Sequence, residues 1–199
     1  MKRQIIFILL IILIALIIIS IAKIILAEES KPQVEITSGI ALDFGNQTLD
    51  TKEKHNILIF PGHIGYIFPK EIAKDHWYRG YFEGGVQLFT GHQYAPNGAN
   101  VDGGALFGRY LFGEGSFKPF VELDLGLVDT NIGLPDLGGH TNFDLEGYVG
   151  FHQFLDAKET IAITFKAGWQ HFSSAGIHTP NRGVNMNPIF LGVTQRFNL

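Results

Sequence analysis

From residue 33 to residue 199 apolar side chains recur at alternate positions, and no apolar run there reaches 18 residues. Successive side chains of a strand point to opposite faces, so this period belongs to strands with one apolar face. Eight segments of ten residues or slightly more carry it: 34–45, 56–68, 78–91, 100–112, 117–128, 141–154, 159–173 and 188–199. Turn-forming residues stand between them, including Gly45-Asn46, Pro69, Pro96-Asn97-Gly98, Gly113-Glu114-Gly115, Leu134-Pro135-Asp136, Asp156-Ala157 and Pro180-Asn181. Such a pattern predicts an all-β barrel or sandwich.

The rows are clearest toward the C-terminus. In 189–199 the odd row is Ile189, Leu191, Val193, Gln195, Phe197 and Leu199. In 121–127 the odd row is Val121, Leu123, Leu125 and Leu127, against Glu122, Asp124 and Gly126. Phe143, Leu145, Gly147, Val149 and Phe151 alternate with Asp144, Glu146, Tyr148 and Gly150. A soluble barrel buries its apolar row and a membrane barrel turns that row to lipid. Long rows rich in Phe and Leu, polar rows of small residues and pairable charges, and a final strand with Phe197 and Leu199 on the apolar row favour the membrane. Charged residues make up only 17% of the chain, below the roughly 25% of soluble domains.

The expected fold is therefore an eight-stranded antiparallel outer-membrane β-barrel over 28–199. Closure removes the unpaired edges that lipid penalises. Eight strands leave an interior that side chains fill, so no water channel is expected. Glu122, Asp124, Asp144 and Glu146 are expected to meet Lys166 and Arg196 inside. With residue 34 on the periplasmic side, 113–116 and 155–158 become short inner turns. The longer 92–99, 129–140 and 174–187 connections face outward, as outer-membrane barrels require. The 69–77 connection is longer than that rule expects.

Residues 1–27 read as a secretory signal peptide. Lys2 and Arg3 precede an uncharged run from Ile5 to Ala22, followed by Ser20-Ile21-Ala22 and Ile25-Leu26-Ala27 as cleavage patterns. An uncleaved membrane anchor is the alternative, since 18 apolar residues can span a bilayer. Cleavage after Ala27 leaves 12 basic against 19 acidic residues, a net −7. The chain has no cysteine, and its positive charge is too sparse to recruit nucleic acid.

His171 and Ser173 continue the apolar row Ile161, Ile163, Phe165, Ala167 and Trp169, at the outward end of the seventh segment. Two residues apart on a strand, their side chains point the same way, and a His beside a Ser is the minimum unit for an activated oxygen nucleophile. An interfacial anchoring pair is the plainer alternative. Trp77 and Trp169 read as interfacial anchors as well. His55, His63, His76, His92, His140, His152 and His178 show no ligand spacing. No cofactor and no metal site are expected.

The segment from His171 to Asn185 reads His-Phe-Ser-Ser-Ala-Gly-Ile-His-Thr-Pro-Asn-Arg-Gly-Val-Asn. It resembles the signature of the lipid A 3-O-deacylase family, the PagL-like outer-membrane esterases also grouped with acyloxyacyl hydrolases. That signature is His-x-Ser-Asn-Ala-Gly, a Pro-Asn-x-Gly turn, and an acidic residue two places on. The resemblance implies an eight-stranded outer-membrane barrel with its site on the membrane-facing wall. It implies removal of the ester-linked 3-acyl chain of lipid A without a metal. Ser173 would be the nucleophile and His171 the general base. Asn181 would lie near the oxyanion site, with backbone amides from Ser174 to Gly176. Asn185 stands where the family has its acid. By analogy with a triad whose Asp becomes Asn, that exchange costs on the order of 10⁴ in turnover. Ser174 stands where the family has Asn.

Three functions follow. The first is a serine esterase acting on lipopolysaccharide of the outer leaflet, with a homodimer allowed. The second is a catalytically weak or inactive barrel of the same fold, motivated by Asn185 and Ser174. The third is a soluble, inner-membrane-anchored barrel that binds a small apolar ligand.

Overall fold

The computed structural model describes residues 32–96 and 98–199, and the leader expected over 1–27 lies outside them. Eight strands follow one another: β1 (Gln33–Asn46), β2 (Asn56–Ile67), β3 (Gly80–Ala95), β4 (Asn100–Phe112), β5 (Phe117–Thr130), β6 (Thr141–Phe154), β7 (Ile161–Ser173) and β8 (Val184–Asn198). Each pairs antiparallel with its neighbours in sequence, and β8 pairs with β1 to close the barrel. At 12 to 16 residues, the strands exceed the roughly 9–11 that a tilted strand needs to cross a bilayer.

The two faces obey the alternation. Along β5 the buried row is Lys118, Phe120, Glu122, Asp124, Val128 and Thr130, while Val121, Leu123, Leu125 and Leu127 are exposed. Ile36, Ile40, Phe60, Ile64, Val86, Leu88, Val149, Ile163, Leu191 and Val193 extend this exposed apolar band around the wall. A continuous coat of this kind fits lipid, since water-soluble monomers rarely expose large contiguous apolar patches.

The interior is packed. Near the end bearing the β1–β2 and β7–β8 connections, Ile57, Ile59, Phe89, Val101, Val128, Leu137, Phe172, Met186 and Phe190 form an apolar plug. Near the other end Ile67, Leu111, Phe120 and Tyr81 form a second, smaller one. Between them lies an ion-pair network centred on Arg109, which is 1% exposed. Its guanidinium donates to Glu122 at 2.5 Å and to Glu83 at 2.9 Å, with Glu35 at 3.6 Å. Lys166 pairs with Glu122, lies 3.9 Å from Asp124 and stands 3.9 Å from the centre of the Tyr148 ring.

The expected pairing holds for Lys166 with Glu122 and Asp124 and changes elsewhere. Arg196 pairs with Glu35 and Glu159. Asp144 accepts from Gln170, and Glu146 from Gln87 and Tyr148. Alternation identifies which residues face inward, but barrel register decides which of them meet.

Several boundaries depart from the sequence pattern. β3 continues to Ala95, so the connection expected over 92–99 shrinks to 96–99. His92 still faces Asn100 across the ladder, and Gln93 N–H donates to Ala99 O at 2.7 Å. β8 begins at Val184 rather than at 188. Its first three residues are buried on both faces because the 47–55 connection covers their outer side, which erases the alternation there. The long 68–79 connection is an ordered flap. Ile72 and Gly80 exchange backbone hydrogen bonds, Tyr110 donates to Tyr78 O at 2.8 Å, and Arg79 pairs with Glu114.

Candidate active site

β7 carries His171 and Ser173 to the loop end of the barrel on its outer face. Both are half-buried, in the same row as exposed Ile161 and Ile163. Two strand rises of about 3.3 Å separate them along the chain, so imidazole and hydroxyl stand side by side. Among the described residues no hydrogen bond joins them. Such bonds often tighten only when substrate arrives. Leu145 faces His171 and Phe143 faces Ser173 across β6, so the floor beside the pair is apolar.

Across β8, His171 faces Asn185 directly. His171 Nδ1 lies 2.9 Å from Asn185 Oδ1, and Asn185 is 0% exposed. The Asn185 amide nitrogen donates to Thr48 O at 2.9 Å and to Thr51 Oγ1 at 2.7 Å. The other side of the imidazole is also held. The Trp169 ring stacks on it with centroids 5.6 Å apart and planes 7° from parallel. Trp169 therefore belongs to the site, whereas Trp77, 90% exposed, stands at the opposite end of the barrel.

The 174–183 connection forms the rim. Ser174, Ala175, Gly176 and Ile177 make a tight turn closed by Ile177 N–H to Ser174 O at 3.0 Å, with φ of 49° at Ala175 and 79° at Gly176. Positive φ at both central positions is the type I′ arrangement. Asn181 Oδ1 accepts from Ser174 N–H at 2.7 Å and lies 3.0 Å from Ser174 Oγ. Ser174 is thus buried inside the loop and its amide is occupied, which corrects the expectation that this amide faces an oxyanion. Among the described residues the amides of Ala175 and Gly176 have no partner, and they remain available.

Two further connections brace this rim. Asp136, 0% exposed, accepts from the backbone N–H of Lys52 at 2.7 Å and of Glu53 at 3.0 Å, and lies 3.0 Å from His55 Nε2. Leu137 bridges to Asn181, and Arg182 N–H donates to Asp136 O at 3.0 Å. On the exposed side of the 47–55 connection, the hydrogen bond from Lys52 holds the Asp50 carboxyl below its usual range. Sequence spacing gave no sign of Thr48, Thr51 or Asp136, which come together only by long-range packing.

The described residues also gather two sets of possible metal donors in the lumen, Glu35-Glu83-His152 and His63-Glu122-Asp124. Each already holds a side-chain cation. Arg109 lies 3.2 Å from His152 Nε2 and pairs with both glutamates, and Lys166 lies 3.2 Å from His63 Nε2 and pairs with both acids of the second set.

The sequence model of the lipid A 3-O-deacylase (PagL) family matches residues 62–194. The chain belongs to this family. It is an outer-membrane β-barrel protein, which removes the soluble, anchored reading. Among solved structures it is similar to the outer membrane enzyme PagL, with TM-score 0.59 and 17% identity over 83% of this chain and 99% of that one. It is similar to Neisserial surface protein A, with TM-score 0.57 and 17% identity over 85% and 100% of the two chains. The N-terminal β-barrel domain of Pseudomonas aeruginosa OprF is similar at TM-score 0.50, with 18% identity over 85% and 100%. At these identities the likeness is one of fold. No curated protein matches the chain. The family match spans His171, Ser173, Ser174, Gly176, Asn181 and Asn185, while Thr48 and Thr51 lie outside it.

Proposed function

We propose that the protein is a serine esterase that removes the 3-O-linked acyl chain of lipid A within the outer leaflet. The observation that carries this reading is the His171–Asn185 hydrogen bond on the lipid-facing wall beside Ser173. A site on that wall meets an acyl ester without drawing it from the membrane.

His171 Nε2 takes the Ser173 hydroxyl proton as Oγ attacks the ester carbonyl. The amides of Ala175 and Gly176, with the Asn181 side-chain nitrogen, receive the developing oxyanion. Collapse of the tetrahedral intermediate breaks the bond to the sugar oxygen, which takes the proton back from His171. Water, deprotonated by His171, then hydrolyses the acyl-Ser173 ester and frees the fatty acid. Asn185 orients the imidazole throughout.

The test is mass spectrometry of lipid A from cells producing the protein and its Ser173→Ala variant. Loss of one 3-O-acyl chain with the first and retention with the second is expected. Unchanged lipid A in both would reject the esterase and leave a non-catalytic, lipid-interacting barrel.

A further inference from the structure

An asparagine can hold a catalytic histidine in either of two amide orientations, and only one of them serves a general base. With Oδ1 toward the ring, Nδ1 must carry the proton and Nε2 is bare. With the amide turned over, its N–H groups face the ring, Nδ1 becomes the acceptor and the proton moves to Nε2. The tautomer therefore depends on whatever holds the far side of the amide.

Here the far side is held by two acceptors from the 47–55 connection. Thr48 O is a carbonyl and can only accept; it stands 2.9 Å from Asn185 Nδ2. Thr51 Oγ1 commits its proton to Gly183 O at 3.0 Å, which leaves its lone pairs facing Asn185 Nδ2 at 2.7 Å. Thr51 is 4% exposed and Asn185 0%, so the amide is enclosed by protein. Turning it over would set Oδ1 against Thr48 O and give up both hydrogen bonds. A carboxylate at 185 would meet the same carbonyl with an oxygen. The surroundings are complementary to an amide.

We propose that Thr51 is a positioning residue: through the Asn185 amide it keeps the His171 proton on Nδ1 and Nε2 free to take the Ser173 proton. The inference rests on the esterase reading, and it accounts for a family member working with asparagine in place of the acid.

The experiment is ¹⁵N NMR of histidine-labelled, detergent-folded protein at a pH where His171 is neutral, alongside deacylation rates on lipid A vesicles. It uses the wild type, Thr51→Val and Thr51→Ser, each first shown to be folded by heat-modifiable migration. The wild type and Thr51→Ser are expected to carry the His171 proton on Nδ1. Thr51→Val is expected to show a shift toward the Nε2-protonated form. Its kcat should fall by about 10²-fold with KM little changed, short of the roughly 10⁴-fold cost of a wholly wrong tautomer. Thr51→Ser should recover the rate to within a few-fold. A wild-type proton on Nε2 overturns the proposal, and that spectrum decides even where Thr51→Val does not fold. A folded Thr51→Val with unchanged tautomer and rate overturns it as well. Absence of deacylation by the wild type would defeat the esterase reading alone, since the tautomer is read without turnover.

Discussion

Gly183 runs against the edge of the His171 imidazole: a Cβ there would stand 2.5 Å from His171 Cε1 and 3.2 Å from Nε2. Its φ of 77° also lies in the left-handed region, where an added side chain is strained. Gly183→Ala should displace the ring, because the new Cβ would overlap its Cε1 edge. Because a displacement of about 1 Å at a reacting group can cost roughly 10²-fold, deacylation should fall by about that factor while the barrel stays folded. Rates near wild type, with folding confirmed by heat-modifiable migration, would contradict this.

Asn185→Glu should lower activity rather than raise it. The carboxylate lacks the two N–H groups that Thr48 O and Thr51 Oγ1 accept, and its extra methylene must enter a site with no free surface. Overpacking of this kind costs about 1–3 kcal/mol. A deacylation rate above wild type would mean that the missing acid, not the enclosed amide, sets the efficiency of this site.

Asp136→Ala should free the 47–55 connection. It removes the acceptor of two backbone amides and leaves the buried His55 nitrogen unpaired, at a cost of about 1–3 kcal/mol. Trypsin should then cut at the exposed Lys52 or Lys54 much faster than in the wild type, and deacylation should drop with the freedom of Thr48 and Thr51. Equal cleavage rates in the two proteins would show that Asp136 does not hold the loop.

Arg109→Met should destabilise the whole barrel. Glu83 and Glu122 would lose their guanidinium partner in a sealed interior, and breaking a buried ion pair from one side costs about 3–5 kcal/mol. The urea midpoint of the folded band should fall clearly. An unchanged midpoint would show that the network tolerates the loss.

The 155–160 turn should weaken in acid. Asp156 accepts from the N–H groups of Ile161, Thr160 and Lys158 and from the Thr160 hydroxyl, and these bonds hold its pKa below the usual 3.8. A carboxyl with a depressed folded pKa contributes its stability above the unfolded value and loses it as pH falls through the folded one. The Ile161 and Thr160 amide resonances should therefore titrate together with a midpoint below 3.8. A midpoint at or above that value would remove the turn's dependence on the ionised group.

The period of two settled most of the fold, because the direction of a strand side chain is a local property. It placed His171 and Ser173 on the outer face, and Glu122, Asp124 and Lys166 inside. The start of β8 was hidden for an equally physical reason: loop packing buries both faces of Val184 to Met186, and alternation needs one face to differ from the other.

What the linear sequence could not decide is what surrounds each group. Thr51 reaches Asn185 across 134 residues and Asp136 reaches His55 across 81. Arg109, unremarked in the sequence, became the hub of the interior because the β3–β4 and β4–β5 registers set Glu83 and Glu122 directly opposite it. The sequence by itself determined a barrel with a serine and a histidine on its lipid side. Only the tertiary structure decided that Asn185 is enclosed as an amide, because register and loop packing, not local period, choose its hydrogen-bond partners.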